Sequence, residues 1–174
     1  MLLILKYVAK LLKALSSEAK PWQIAGGFVL GMIIGLTPVL SFHNLIIAIL
    51  IIVINVNIGM ALLSFMIFSG IAYLADPLFH DLGNWMLSNP GYQSLWIEMY
   101  ENEFWAMTRF YNTVVIGSLV SAVLLSFPVF PGVILFVNQY RKHINERIQK
   151  WKVVKWLKGT KLYSIYQTVD RVRG

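Results

Sequence analysis

Seven residues in the apolar first half of the chain are of types that could do chemistry: Thr37, Pro38, Ser41, His43 and Asn44 in one cluster, then Asn55 and Asn57. Polar groups inside an apolar stretch are costly unless paired and often mark a solute or ion site. The structural alternative is that these side chains satisfy backbone N–H and C=O groups left open where a helix breaks. His43 has no second ligand near it in sequence, so no metal is assigned. Further along, Asp76 and His80 are four apart, the spacing of a carboxylate–imidazole proton relay if one helix carries both. Asp76 stands before Pro77, however, and that pair is favoured as the cap and first residue of a new helix. No nucleophile–base pair, phosphate loop or zinc motif occurs, so no catalytic residue and no cofactor are assigned and an enzyme is the weakest class. With no Cys, disulfides and thiolate metal sites are excluded.

The elements that must carry these residues follow from charge and run length. Between Lys20 and Arg141 the only cationic residue is Arg109, while residues 21–75 hold no Asp, Glu, Lys or Arg. The interior acids, Asp76, Asp81, Glu98, Glu101 and Glu103, fall in one window. Charged residues make up 13% of the chain, against about 25% in a soluble domain, too few to coat a protein this small. This pattern predicts an all-α, polytopic integral membrane protein with both ends on the cationic, cytoplasmic side. The +7 net charge sits at two ends flanking apolar segments. That fits attraction to anionic phospholipid of the inner leaflet rather than nucleic acid.

Run lengths set the topology. Pro21 opens a helix that Thr37-Pro38 ends, and a second run covers Ser41 to Ile54. At about 15 and 14 residues each would reach roughly 22 Å, short of the roughly 30 Å of bilayer hydrocarbon. A re-entrant helical hairpin is predicted, with four full spans as the alternative. The third run, 58–75, is long enough to cross and ends at Asp76-Pro77. The fourth, 110–140, exceeds one span and contains Pro128 and Pro131. A turn back there would put ten cations outside, so one bent crossing is expected. The single membrane domain then reads as an interfacial helix over 1–20, hairpin and first span over 21–75, and an outer interfacial segment over 76–109. A last span over 110–140 and a basic cytoplasmic tail over 141–174 complete it. Both ends have amphipathic character: Lys6, Lys10 and Lys13 oppose Leu5, Val8, Leu11 and Leu15, and Ile144, Ile148, Trp151 and Val154 oppose a lysine-rich side.

Two further patterns concern contact. Gly27, Gly31 and Gly35 leave one helix face without side chains, and Gly117 with Ser121 offers a matching small-residue ridge on the last span. These predict helix packing, within the chain, with a partner helix or in a homo-oligomer. The outer segment carries Trp85, Trp96, Tyr100 and Trp105, turns at Asn89-Pro90-Gly91, and ends at Arg109. Its aromatics suit a membrane interface or a docking surface for a protein partner. Arg109 is expected to reach lipid headgroups or to pair with Glu101 or Glu103.

The run Gly31-x-x-x-Gly35-x-x-Pro38, then Ser41-x-His43-Asn44 and Asn57, resembles the bacterial membrane family catalogued as domain of unknown function 2062. The resemblance covers about residues 21–80. Ser41, His43 and Asn44 depart from the family's Gly, Gln and Thr, and Asp76-Pro77 stands where Asn-Pro is usual, as in a divergent subgroup. The resemblance implies an inner-membrane protein without established chemistry, in bacteria with outer membranes, encoded beside a much larger envelope protein. The resulting expectation is a small non-enzymatic subunit that anchors, or feeds lipid to, a large periplasm-spanning partner. The competing expectation is a small transporter or channel using the polar hairpin tip.

Overall fold

The computed structural model describes residues 19–144, and within them every regular element is helical. The amphipathic terminal helices expected over 1–20 and 141–174 lie almost wholly outside the described residues. Helix α1 spans Pro21–Leu36, α2 Phe42–Val53 and α3 Ile58–Ser88. A 3₁₀ turn at Pro90–Tyr92 leads to α4 (Gln93–Glu101) and α5 (Glu103–Met107), and α6 runs Thr113–Gln139 before a π-helical turn at Tyr140–Ile144.

Local chemistry accounts for most boundaries. Pro21 takes the first helical position of α1, and the Gln23 side chain accepts the Lys20 N–H at 2.8 Å. Thr37 is extended, as the residue before a proline must be, so α1 stops there. Asn55 adopts a left-handed φ of 55°, which Asn tolerates better than most residues, and turns α2 into α3. Asn57 and Asn112 then cap α3 and α6 by accepting backbone N–H groups of the first turn.

The helices fall into two length classes. At 16 and 12 residues, α1 and α2 reach about 24 and 18 Å. At 31 and 27 residues, α3 and α6 reach about 46 and 40 Å, long and apolar enough to cross a membrane. Their most apolar stretches are only 22% and 11% buried, whereas the core helix of a soluble protein would be mostly covered.

Helices α1, α3 and α6 form a three-helix bundle. Gly27 faces Asn57 and Ala61, Gly31 faces Ala61, and Gly35 faces Phe65 and Ser69, so α1 and α3 run parallel. Gln23 ties their starts together, its carbonyl accepting Asn57 N–H at 3.0 Å and its Nε2 donating to the Asn55 carbonyl at 2.9 Å. Helix α6 runs the other way, with Thr113 against Gly83 and Gly117 against Phe79 and Gly83. Its end returns to the start of α1, where Arg141 Nη2 donates to the Ala19 carbonyl at 2.8 Å. One core cluster joins Val29, Met32, Ile33 and Leu36 to Ile47, Phe79 and Ala122, and a second joins Ile24, Met60, Val137 and Tyr140. Helix α2 lies outside the bundle and buries only Asn44 and Ile47.

Three expectations change. Pro77 begins no helix: α3 passes through it to Ser88, so the third run does not end at Asp76 and Asp76 caps nothing. An interior proline costs about 3 kcal/mol; here Phe79 and Gly83, beyond it, are held against α6 and keep the helix going. The glycine face of α1 does not meet the ridge of the last span, because each meets α3, at opposite ends of it. That also leaves the face covered within the chain rather than open to a second copy. Pro128 and Pro131, by contrast, lie inside one continuous α6.

Candidate functional site

The polar residues of the first half form two groups at opposite ends of α2, not one site. At the turn between α1 and α2, Thr37 and Asn44 are buried and bonded to each other. Asn44 Nδ2 donates to the Pro38 carbonyl at 2.9 Å, bridging the proline break. Thr37 Oγ1 lies 2.8 Å from the Ile33 carbonyl and 2.9 Å from Asn44 Oδ1, so its single proton is shared between two acceptors. Ser41 makes no cap with its side chain; its carbonyl accepts the Asn44 N–H at 3.0 Å. Asn55 and Asn57 are separated from this cluster by the 12 residues of α2, about 18 Å, and serve the turn and cap beside Gln23.

These bonds spend the buried side-chain polar atoms of Thr37 and Asn44 within the tip itself. His43 Nε2 is buried and has no hydrogen-bond partner. Such an atom gives up its hydration without replacement, at a cost of about 1–3 kcal/mol. His43→Leu is therefore expected to leave the melting temperature in detergent unchanged or raise it. A fall of several degrees would mean that the imidazole holds the tip together.

Beyond the level of the hairpin tip along α3, His80 Nδ1 pairs with Thr113 Oγ1 at 2.7 Å, linking α3 to the start of α6. The Asp76–His80 relay is not formed, because the imidazole is engaged across the helix seam. The outer segment folds on itself through its rings. Trp96 Nε1 donates to the Met86 carbonyl at 3.0 Å and its ring stacks on buried Phe110, so Trp96 is an internal strut rather than a docking residue. Trp85, Tyr100 and Trp105 stay exposed, at 59%, 62% and 45%. Arg109 sits in the left-handed turn before α6 with φ 57° and makes no ion pair with Glu101 or Glu103.

Three residues that matter here escaped the sequence reading. Gly83 admits the Thr113 backbone and is paired with Gly117 across the seam. Its signal was present, a glycine four after Phe79, but it lay beyond a supposed helix boundary. Ser64 donates to the Phe28 carbonyl at 2.6 Å and locks α3 onto α1. Phe42, at the hairpin tip, meets Phe104 of α5 edge to face with centroids 5.6 Å apart. The outer segment is thus seated on the hairpin tip, a contact between residues 62 apart that no local pattern announces. Among the described residues no three His, Asp, Glu or Cys side chains converge as a metal site.

Comparison with known proteins adds a family. The model of a family described as "Uncharacterized protein conserved in bacteria (DUF2062)" matches residues 5–145. An uncharacterized protein of Treponema pallidum (strain Nichols) is 28% identical over 145 residues, covering 83% of this chain and 90% of that protein. No solved structure matches.

Proposed function

The chain belongs to this bacterial family of uncharacterised proteins, and we propose that it is a small non-enzymatic subunit of the inner membrane. In this reading it anchors, or passes lipid to, a much larger partner that spans the envelope. The observation that carries the proposal is where polar groups are spent and where they are not. Thr37, Asn44, Asn57, His80 and Trp96 are all consumed as struts and caps, which leaves little for catalysis or conduction. What remains on offer is surface: exposed Trp85, Tyr100 and Trp105 at the end of the bundle remote from both described chain ends. The transporter alternative draws less support, since the residues assigned to its site lie in two places.

The same reading places residues 19–20 and 140–144 on the cytoplasmic side and 89–112 on the periplasmic side, with α3 and α6 crossing. Helices α1 and α2 then form a re-entrant hairpin. Gly35, just before the turn, is level with Ser69, eleven residues or about 17 Å along α3 from Ile58 and short of a full crossing.

The absence of Cys makes a single introduced thiol a clean probe. In spheroplasts, Tyr100→Cys is expected to react with a membrane-impermeant thiol crosslinker and to give an adduct with a much larger membrane protein. A thiol at 100 that the reagent cannot reach would overturn the topology. One that reacts but yields only the unconjugated chain would overturn the partner.

A further inference from the structure

We propose that the seam between α1 and α6 binds one anionic phospholipid of the cationic-side leaflet, its acyl chain in the seam's groove and its phosphate at Lys20 and Lys142. This names a ligand for the lipid-passing half of the reading above and rests on that reading for the membrane placement, not for the partner.

The groove, of about 390 Å³, is lined by Val29 and Ile33 of α1 and by Val123, Ser126, Phe127 and Phe130 of α6. Its one polar side chain offers no proton, because Ser126 Oγ donates to the Ala122 carbonyl at 2.8 Å. A polar solute would find no donor there, and hydrocarbon needs none. The groove opens outward to where lipid would lie: Phe127 is 73% exposed.

Charge and depth choose the occupant. The start of α1 and the end of α6 meet at Ala19 and Arg141, which brings Lys20, Arg141 and Lys142 to one end of this seam. Lys20 and Lys142 are exposed. From that end, the near edge of the groove, Val29 and Phe130, is nine and eleven residues away, about 14 and 17 Å at helical rise, and its far edge, Ile33 and Val123, about 20 and 27 Å. One leaflet of hydrocarbon is about 15 Å deep. A lipid whose phosphate meets the cations therefore brings its chain ends to the near edge of the groove, at Val29 and Phe130. No acidic residue lies within the described parts of α1 or α6 to oppose an anion.

The test uses the purified full chain in phosphatidylcholine vesicles doped with phosphatidylglycerol that carries a diazirine near one chain end. After irradiation, adducts are mapped by mass spectrometry. They are expected to concentrate in 29–33 and 123–130 rather than in the exposed apolar residues of α2, with weaker groove labelling from diazirine phosphatidylcholine. Each surface lysine contributes about a fivefold attraction to anionic lipid, so Lys20→Gln with Lys142→Gln should cut groove labelling by at least about tenfold. Ser126→Trp, which fills the groove, should abolish it, and Val123→Trp does the same from its rim should the first variant not fold. Labelling spread over α2, α3 and α6 in proportion to exposure would overturn the site. Equal labelling by the two lipids, or no loss in the lysine variant, would remove the headgroup contact. Each outcome is read without any partner present, so it stands apart from the crosslink at residue 100.

Discussion

Gly31→Leu is expected to destabilise the bundle by roughly 3 kcal/mol or beyond, the upper part of the range for overpacking. A Cβ at Gly31 would overlap the Ala61 carbonyl carbon and oxygen, and that obstacle is backbone in the first turn of α3. A flexible side chain could swing aside; a helix backbone must move whole. Moving α3 away would also part Gly27 from Asn57 and strain the Ser64-to-Phe28 bond. In the membrane setting proposed above, no water-driven term would restore the fit, because lipid covers apolar surface as well as another helix does. Even Gly31→Ala should be costly, although alanine is the better helix former by about 1 kcal/mol. Gly70→Leu and Gly132→Leu are the controls, since a Cβ at either meets nothing within 4 Å. The measurement is unfolding by denaturing detergent in mixed micelles, followed by far-UV circular dichroism. If Gly31→Leu unfolds no earlier than Gly132→Leu, the parallel packing of α1 on α3 is wrong.

Asn44→Leu is expected to cost about 2 kcal/mol, and Thr37→Val well under half of that. The difference lies in what each leaves behind. Removing the Asn44 amide strips the Pro38 carbonyl of its donor and the Val39 carbonyl of a longer one, at about 1–3 kcal/mol for a group left unmet, while Thr37 Oγ1 keeps the Ile33 carbonyl. Removing the Thr37 hydroxyl leaves the Ile33 carbonyl still bonded to the Thr37 N–H at 3.2 Å. Asn44 Oδ1 alone then goes without. The same unfolding measurement decides: equal losses for the two variants would show that the pair acts as a unit rather than through the proline break. A normal stability for Asn44→Leu would reopen the tip as a solute site.

Much of this arrangement could be read from local signals. Pro21, Thr37-Pro38 and the Asn-Pro-Gly turn marked their boundaries because each acts on backbone within a few residues of itself. The near-absence of charge over 21–75 and the lengths of the apolar runs picked out the two helices able to span a membrane. The glycine face of α1 was equally legible as a surface that some backbone must approach. Pro77 misled because proline's penalty is local, while the contacts that outweigh it, Phe79 and Gly83 on α6, are not.

The sequence by itself determined composition, helix limits and which faces are smooth, all of which are properties of one segment. Only the tertiary structure decided which segments meet. Gly31 finds Ala61, thirty residues on, because the short α2 brings the chain back to where α1 began and so sets α3 parallel to it. The same return places Asn55 and Asn57 at the opposite end from Asn44, dividing what one cluster of polar letters had joined. Small-residue faces are interchangeable in sequence, since any of them admits any backbone. The choice among them rests on chain path and on contacts between residues far apart, and neither is written in the segment that carries the face.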